Sequence, residues 1–241
     1  AEGTSADFDI NQEISFKLTG TVTNYTDEFE TYSYTFHDTF PAGMEYVENS
    51  VGVKIGDTDV TTSFTTSFAD GKLTVSCTDL TGVDAATPGS TITVTYKAKL
   101  TDTAAINEDL TNSVYIEYSS DPYDEEATAV TTTETATVKT YQLTVNKYAD
   151  ADNDNVKDEG EASLANAYFN LTKVVDGSTM YATASGENGV YVITGWTDTE
   201  PEVGTFVSPE TGTIVIKGLD SDTYALIETA APDGYNLLKD P

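Results

Sequence analysis

Four side chains suited to amide chemistry fall on the apolar parity of strand-like runs. In Tyr32-Ser33-Tyr34-Thr35-Phe36-His37-Asp38, the face carrying Tyr32, Tyr34 and Phe36 also carries Asp38. In Asn112-Ser113-Val114-Tyr115-Ile116-Glu117-Tyr118, Asn112 shares the face of Val114, Ile116 and Tyr118. Lys147 follows Leu143 and Val145 at the same spacing, and Glu228 follows Tyr224 and Leu226. Side chains alternate with a period of two along a strand, so all four groups are aimed at a core. A buried lysine or carboxylic acid is costly unless it is paired or neutral. A neutral lysine amine is a nucleophile, an asparagine amide is an acceptor, and a neutral acid can move protons between them. The chemistry these types allow is a Lys–Asn isopeptide cross-link made by the fold on itself.

The elements that must position these groups are strands. The chain has 241 residues, enough for two domains with their own cores. Tyr, Phe, Val and Thr are abundant, and no long stretch has helical periodicity. Runs at 14–22, 31–38, 44–55, 73–77, 91–100, 112–118 and 127–138 are separated by turn signals such as Pro41-Ala42-Gly43, Gly56-Asp57, Asp70-Gly71 and Pro88-Gly89. A second series occupies 141–147, 167–174, 189–194, 212–216 and 223–229. The reading is all-β, two tandem β-sandwiches, with one domain over 1–139 and another over 140–241. The junction Thr137-Val138-Lys139-Thr140-Tyr141 has no Gly or Pro, which implies a stiff connection.

Charge limits the partners. There are 41 acidic residues against 11 lysines, no arginine, and a net charge of −30. Such a chain repels nucleic acid and anionic membrane and attracts cations. No run has the length of a membrane-spanning helix. The single cysteine, Cys77, shares parity with Leu73 and Val75 and reads as a buried thiol, so no disulfide can form within the chain. His37 lies on the solvent parity, and Trp196 reads as an aromatic at a core edge. No Ser/His/Asp set or histidine-rich metal cluster can be assembled, so no enzyme with turnover is expected.

A cation loop is the other chemical feature. In the twelve residues from Asp150 to Glu161, acids Asp150, Asp152, Asp154, Asp158 and Glu161 occupy positions 1, 3, 5, 9 and 12. This is the ligand spacing of EF-hand-type calcium loops, with the backbone carbonyl of Val156 at position 7. Asn155 stands where glycine is usual and tolerates the left-handed backbone. Calcium is the expected ion.

Two resemblances cover the chain. Gly218-Leu219-Asp220-Ser221-Asp222-Thr223-Tyr224-Ala225-Leu226-Ile227-Glu228-Thr229-Ala230-Ala231-Pro232-Asp233-Gly234-Tyr235 resembles the E-box of the collagen-adhesin B-type, or prealbumin-like (SpaA-like), domains of Gram-positive pilins. Phe36-His37-Asp38-Thr39-Phe40-Pro41-Ala42-Gly43-Met44, Thr93-Val94-Thr95-Tyr96-Lys97-Ala98 and 110–122 resemble the fimbrial isopeptide-forming domain of backbone pilins. The resemblance implies an immunoglobulin-like sandwich followed by a prealbumin-like one lacking its last strand. It implies isopeptide roles for Lys147 and Asn112, with Glu228 and Asp38 as the proton-handling acids. The partners are expected outside this chain: an Asn or Asp after Pro241 for Lys147, and a lysine before Ala1 for Asn112. Lys17, Lys54, Lys97 and Lys99 all fall on solvent parity, and Lys72 sits at a turn.

The implied protein is a structural shaft subunit of a Gram-positive cell-surface pilus, extracellular and joined to neighbouring pilin subunits by a sortase-made linkage. The alternative is the stalk or ligand-binding region of a wall-anchored adhesin or ancillary pilin that touches a host surface ligand. A polymerisation lysine and a sorting motif in the flanking sequence would separate the two.

Overall fold

A computed structural model of the chain describes residues 3–23, 26–152, 154 and 156–237. Two compact units account for it. The first takes the chain up to Ala6, then Glu13–Thr103 and Asp109–Val138. The second begins at Lys139 and also takes Asp7–Gln12 and Ala104–Glu108, segments that sequence reading assigns to the first domain.

Two sheets build the first unit. Strands β1 (Ser5–Asp7), β2 (Glu13–Thr21), β3 (Tyr34–Thr39), β4 (Met44–Tyr46), β5 (Gly52–Ile55) and β6 (Thr58–Asp59) come first. They are followed by β7 (Thr65–Ala69), β8 (Lys72–Cys77), β9 (Thr91–Leu100), β10 (Leu110–Ser119), β11 (Thr128–Val130) and β12 (Glu134–Lys139). One sheet has the order β1-β12-β10-β3-β8-β7 with β11 on β10, the other β2-β9-β5-β6 with β4 on β9. Alternation decides what each strand buries. Ile92, Val94, Tyr96, Ala98 and Leu100 of β9 point into the core while Thr91, Thr95 and Lys97 face solvent. From the other sheet Tyr34, Phe36, Leu73, Val75 and Ile116 meet them. The β7–β8 hairpin turns on Asp70-Gly71, both with positive φ (52° and 71°), as a two-residue turn between right-twisted strands requires. The expected run 44–55 is broken in two. Asn49 takes φ 60°, and Ser50 Oγ donates to Val47 O at 2.6 Å while accepting from Lys97 N at 2.9 Å. The Thr-rich run near 127–138 also divides, because Thr131 Oγ1 accepts the Ile116 N–H at 3.0 Å and interrupts the ladder. His37 is half-buried where solvent was expected: its ring stacks on Tyr115 at 4.8 Å.

The second unit holds β13 (Tyr141–Asn146), β14 (Tyr168–Val175), β15 (Ser178–Glu187), β16 (Val190–Thr197), β17 (Phe206–Val207), β18 (Thr213–Leu219) and β19 (Ala225–Ala230). Their order is β13-β18-β16-β15-β14-β17, with β19 on β14 and a parallel β16–β18 pair. Phe169, Leu171, Tyr191, Ile193, Phe206, Ile214 and Ile216 form the core, and Leu143, Val145 and Leu226 pack against it. The sequence reading lacks β15, whose Ser, Thr and Ala content carries no apolar alternation. Its turn, Asp176-Gly177 with φ 49° and 80°, was the available signal. Among the described residues, no helix is long and apolar enough to cross a membrane.

Candidate functional site

In the first unit, β3, β9 and β10 bring three polar side chains together inside the sandwich. Asp38 pairs in register with Val114, so Asn112 lies one alternation further along the same face of β10. Asp38 and Asn112 are 1% and 2% exposed. Tyr96, from the facing sheet, donates its hydroxyl to Asp38 Oδ2 at 2.6 Å and accepts Asn112 Nδ2 at 3.2 Å. Phe16 stacks on the Tyr96 ring at 5.1 Å with planes 6° apart, and Phe40 lies at 5.7 Å, so the ring is fixed. Burial pushes the Asp38 carboxyl up to about 6, against the opposing hydrogen bonds from Tyr96 and Asn112. Asp38 Oδ1 and Asn112 Oδ1 are buried and accept no hydrogen bond among the described residues. The unit's lysines point elsewhere. Lys17, Lys54, Lys72 and Lys97 are exposed, Lys97 pairs with Glu13 at 2.5 Å, and Lys99 pairs with Glu45 at 2.9 Å. Tyr96 was within a motif legible in the sequence, but nothing along the chain shows that its hydroxyl bridges the other two.

In the second unit, Lys147 just beyond β13 reaches Glu228 on β19. Nζ and Oε1 are 2.9 Å apart, and the two side chains are 12% and 0% exposed. β13 ends the sheet path and β19 hangs from β14 at the opposite side, so this ion pair crosses the core instead of following the ladder. The Lys147 backbone is held on both sides: its N–H donates to Gly212 O at 2.8 Å and its C=O accepts Leu164 N at 2.9 Å. The arrangement puts an amine and an acid in contact where water is largely excluded.

A second buried lysine was not anticipated. Lys173 shares the face of Phe169 and Leu171, so the alternation that singles out Lys147 also singles it out. Its ammonium contacts Asp9 Oδ2 at 2.6 Å and Asp220 Oδ2 at 3.3 Å, and lies 4.6 Å from the Trp196 ring centre. Trp196 Nε1 and the Asp220 N–H also donate to Asp9, at 2.8 and 2.9 Å. Burial pulls the Lys173 pKa down, but the hydrogen bond and charge of Asp9, with Asp220, outweigh it and hold the group above the ordinary lysine value. A lysine kept charged is no nucleophile. This cluster is a structural ion pair that fastens residues 7–12 into the second unit. Nothing local to Asp9 in the sequence marks it as buried.

The acidic loop closes at its base through the Tyr148–Ser163 bridge and the Ala149 N–H to Ala162 O bond. Carboxylate oxygens of Asp150, Asp152 and Asp154 all lie within 4.8 Å of one another. Asp154 Oδ1 accepts the Val156 N–H at 2.7 Å. Among the described residues, Asp158 and Glu161 do not join that cluster. Glu161 accepts the N–H groups of Ala151 (2.7 Å) and Asp158 (3.0 Å), and so ties the two ends of the loop. Asn155 lies outside the described residues. Three converging carboxylates offer the hard oxygen donors that suit calcium.

The family model of the SpaA prealbumin-like fold domain matches residues 153–241. The second unit carries a SpaA prealbumin-like domain. Solved structures similar to the whole chain are of major pilins and pilus backbone proteins. The 35 kDa C-terminal fragment of the major pilin GBS80 of Streptococcus agalactiae is 19% identical, with a TM-score of 0.72 over 98% of this chain and 85% of that one. The pilus 2b backbone protein of group B streptococcus is 23% identical, with a TM-score of 0.70 over 99% and 86%. The full-length major pilin RrgB of Streptococcus pneumoniae is 15% identical, with a TM-score of 0.71 over 98% of this chain but 64% of its own length. Comparison with curated proteins finds no match. The chain is therefore all-β, two tandem sandwiches, the second of SpaA type.

Proposed function

We propose that this chain is a shaft segment of a Gram-positive, sortase-assembled pilus, a structural protein locked by isopeptide bonds that it forms itself. The observation that carries the reading is one buried, acid-centred site in each sandwich: Asp38 with Asn112, and Glu228 with Lys147. The likeness of both sandwiches to backbone pilins supports it. Each bond forms as a lysine amine attacks an asparagine side-chain carbonyl, the C–Nδ2 bond breaks, and ammonia leaves. The neighbouring acid takes the amine's proton and supplies the leaving nitrogen's. Burial raises Asp38 into the range where it can do both. Fixed placement of the groups supplies much of the rate. For Lys147 the acceptor is an Asn, or an Asp that would release water in place of ammonia, expected after the described strands. For Asn112 the amine is a lysine on chain leading into β1. There β12 intervenes with only the methyl of Ala136 opposite Asn112, which leaves that approach open.

Calcium held by Asp150, Asp152 and Asp154, completed by the Val156 carbonyl, Asp158 and Glu161, would order the loop at the entry to the SpaA domain. Completion requires Glu161 to release at least one of its backbone bonds. Neighbouring subunits joined through sortase are the partners, and the location is the extracellular surface. A covalent tie between strands carries pulling force past the hydrogen-bonded ladder, which a chain with a single cysteine cannot achieve by disulfides.

Intact-mass spectrometry of the natural full-length protein tests this. One ammonia should be missing for each bond made with Asn, and peptide mapping should find Lys147 and Asn112 in cross-linked peptides. Glu228→Ala should restore the ammonia of the SpaA-domain bond and lower protease resistance. An unmodified mass after long incubation would refute the proposal.

A further inference from the structure

We infer that Tyr96 is a further catalytic residue of the Asn112 site, beyond the lysine, the asparagine and the acid, relaying a proton from Asp38 to the leaving nitrogen. The inference rests on the proposed isopeptide reaction and goes beyond it, because it gives the route by which the proton of Asp38 reaches the leaving nitrogen. Tyr96 Oη links Asp38 to the leaving nitrogen through two hydrogen bonds, 2.6 Å from Asp38 Oδ2 and 3.2 Å from Asn112 Nδ2. Among the described residues, Oδ1 of Asp38 and Oδ1 of Asn112 are buried acceptors of this site that take no hydrogen bond. An arriving lysine amine would find them both, one to receive its proton and one on the carbonyl it attacks.

The balance of the step follows from this placement. In the resting site the planar amide nitrogen has its lone pair delocalised, so it can only donate, and it donates to Tyr96 Oη. When the lysine lone pair forms the new C–N bond, the amide carbon becomes tetrahedral and Nδ2 regains a localised lone pair. The chain of hydrogen bonds can then reverse. The Tyr96 hydroxyl, which points at Asp38 Oδ2 in the resting site, turns to Nδ2; protonated Asp38 then gives its proton from Oδ2 to Tyr96 Oη as Tyr96 gives its own to Nδ2. The C–Nδ2 bond breaks with its electron pair on nitrogen, and ammonia departs. The proton lost by the lysine amine passes to Asp38 Oδ1, so Asp38 holds one proton before and after. Amine plus amide yields amide plus ammonia, with no other reactant.

Tyr96 is suited to a relay and unsuited to independent acid chemistry. Burial, reinforced by the Asp38 charge, drives its phenol pKa well above the ordinary value, so it does not ionise. It must take one proton as it gives another. Its ring is clamped between Phe16 and Phe40, which keeps the hydroxyl on the line between Asp38 and Asn112. Removing the hydroxyl leaves those ring contacts in place, so Tyr96→Phe should fold.

The experiment compares natural full-length protein with its Tyr96→Phe variant, both freshly translated. Ammonia loss at Asn112 is followed by mass spectrometry with peptide mapping. The expected result is a bond that forms about a hundredfold more slowly in the variant, the usual scale of lost general acid–base assistance, while the SpaA-domain bond forms normally. A parallel NMR titration of the Asp38 carboxyl, in a Lys-free or unlinked sample, should show its pKa higher in Tyr96→Phe, because one stabilising hydrogen bond is gone. Bond formation at the wild-type rate in the variant would overturn the relay and leave the isopeptide reading intact. Wild-type protein that never links Asn112 would overturn that reading itself. An Asp38 titration unmoved by the substitution would remove the hydrogen bond on which the relay depends, whether or not linkage occurs.

Discussion

Asp38→Asn should stabilise the unlinked first unit at neutral pH and lose that advantage in acid. The carboxyl is 1% exposed, and burial raises its pKa from the ordinary 3.8 to about 6. The folded state therefore binds this proton more tightly than the unfolded chain does. For a raised carboxyl the favourable contribution is complete below the unfolded value, near 3.8, and is lost as pH climbs through about 6. A rise of that size corresponds to about 3 kcal/mol between the two limits, at about 1.4 kcal/mol per tenfold change in proton affinity. Asparagine has nearly the same shape, still accepts the Tyr96 hydroxyl through its carbonyl, and cannot ionise. Urea denaturation of both proteins from pH 4 to pH 8, read from first-unit NMR signals, isolates the effect, because all other carboxylates cancel in the comparison. The stability of the variant relative to wild type should rise by about 2.4 kcal/mol across that range, mostly between pH 4 and pH 7, the rest of the full difference lying below pH 4. A flat difference, or one falling with pH, would refute the claim that the fold holds Asp38 poised to be neutral. The same burden has a functional meaning: a site that opposes its own ionised acid retains the proton its chemistry uses.

Other perturbations test the remaining sites. Lys173→Met should destabilise the second unit by about 3–5 kcal/mol by leaving Asp9 charged and buried, and Asp9→Asn in the same chain should recover much of it. Because the Lys173 pKa is raised, its contribution is complete below the ordinary lysine value and is lost only as pH rises above it. Urea melts between pH 5 and pH 9 should therefore show a constant deficit; one that vanishes by pH 8 would contradict the charged-cluster reading. Calcium should raise the melting temperature of the SpaA domain, chelator should reverse the rise, and Asp152→Ala should abolish it. Flat calorimetry would reduce the loop to an acidic surface. Gly20→Ala should cost about 1–3 kcal/mol, since a Cβ there meets the Tyr34 hydroxyl and lies 2.8 Å from Ile116 Cδ1. Thermal melts unchanged by that substitution would mean that β2 yields more readily than its packing implies.

Strand alternation alone placed Asp38, Asn112 and Glu228 inside and Lys147 nearly so, because a period of two leaves each residue a single face. It also put Lys17, Lys54 and Lys97 in solvent, which rules them out as reactants for Asn112. Turn chemistry marked most strand boundaries. It failed where an interruption depended on a distant partner, as when Thr131 caps the Ile116 N–H on a neighbouring strand. β15 escaped because its faces differ little in polarity, and its place is fixed by pairing with β14 and β16.

The acidic loop shows the same division. Its spacing is local and legible, but the use of Glu161 to tie the loop's own ends depends on how the chain turns back. By itself the sequence determined that Asp38, Asn112, Lys147 and Glu228 must leave water, since that follows from residue type and a repeat of two, but it did not mark Asp9. Tertiary structure decided who meets whom. Tyr96 reaches Asp38 and Asn112 across two sheets, and Asp9 meets Lys173 over a separation of 164 residues. Such contacts are set by how sheets stack and how segments are shared between units, and no local pattern along the chain encodes those distances.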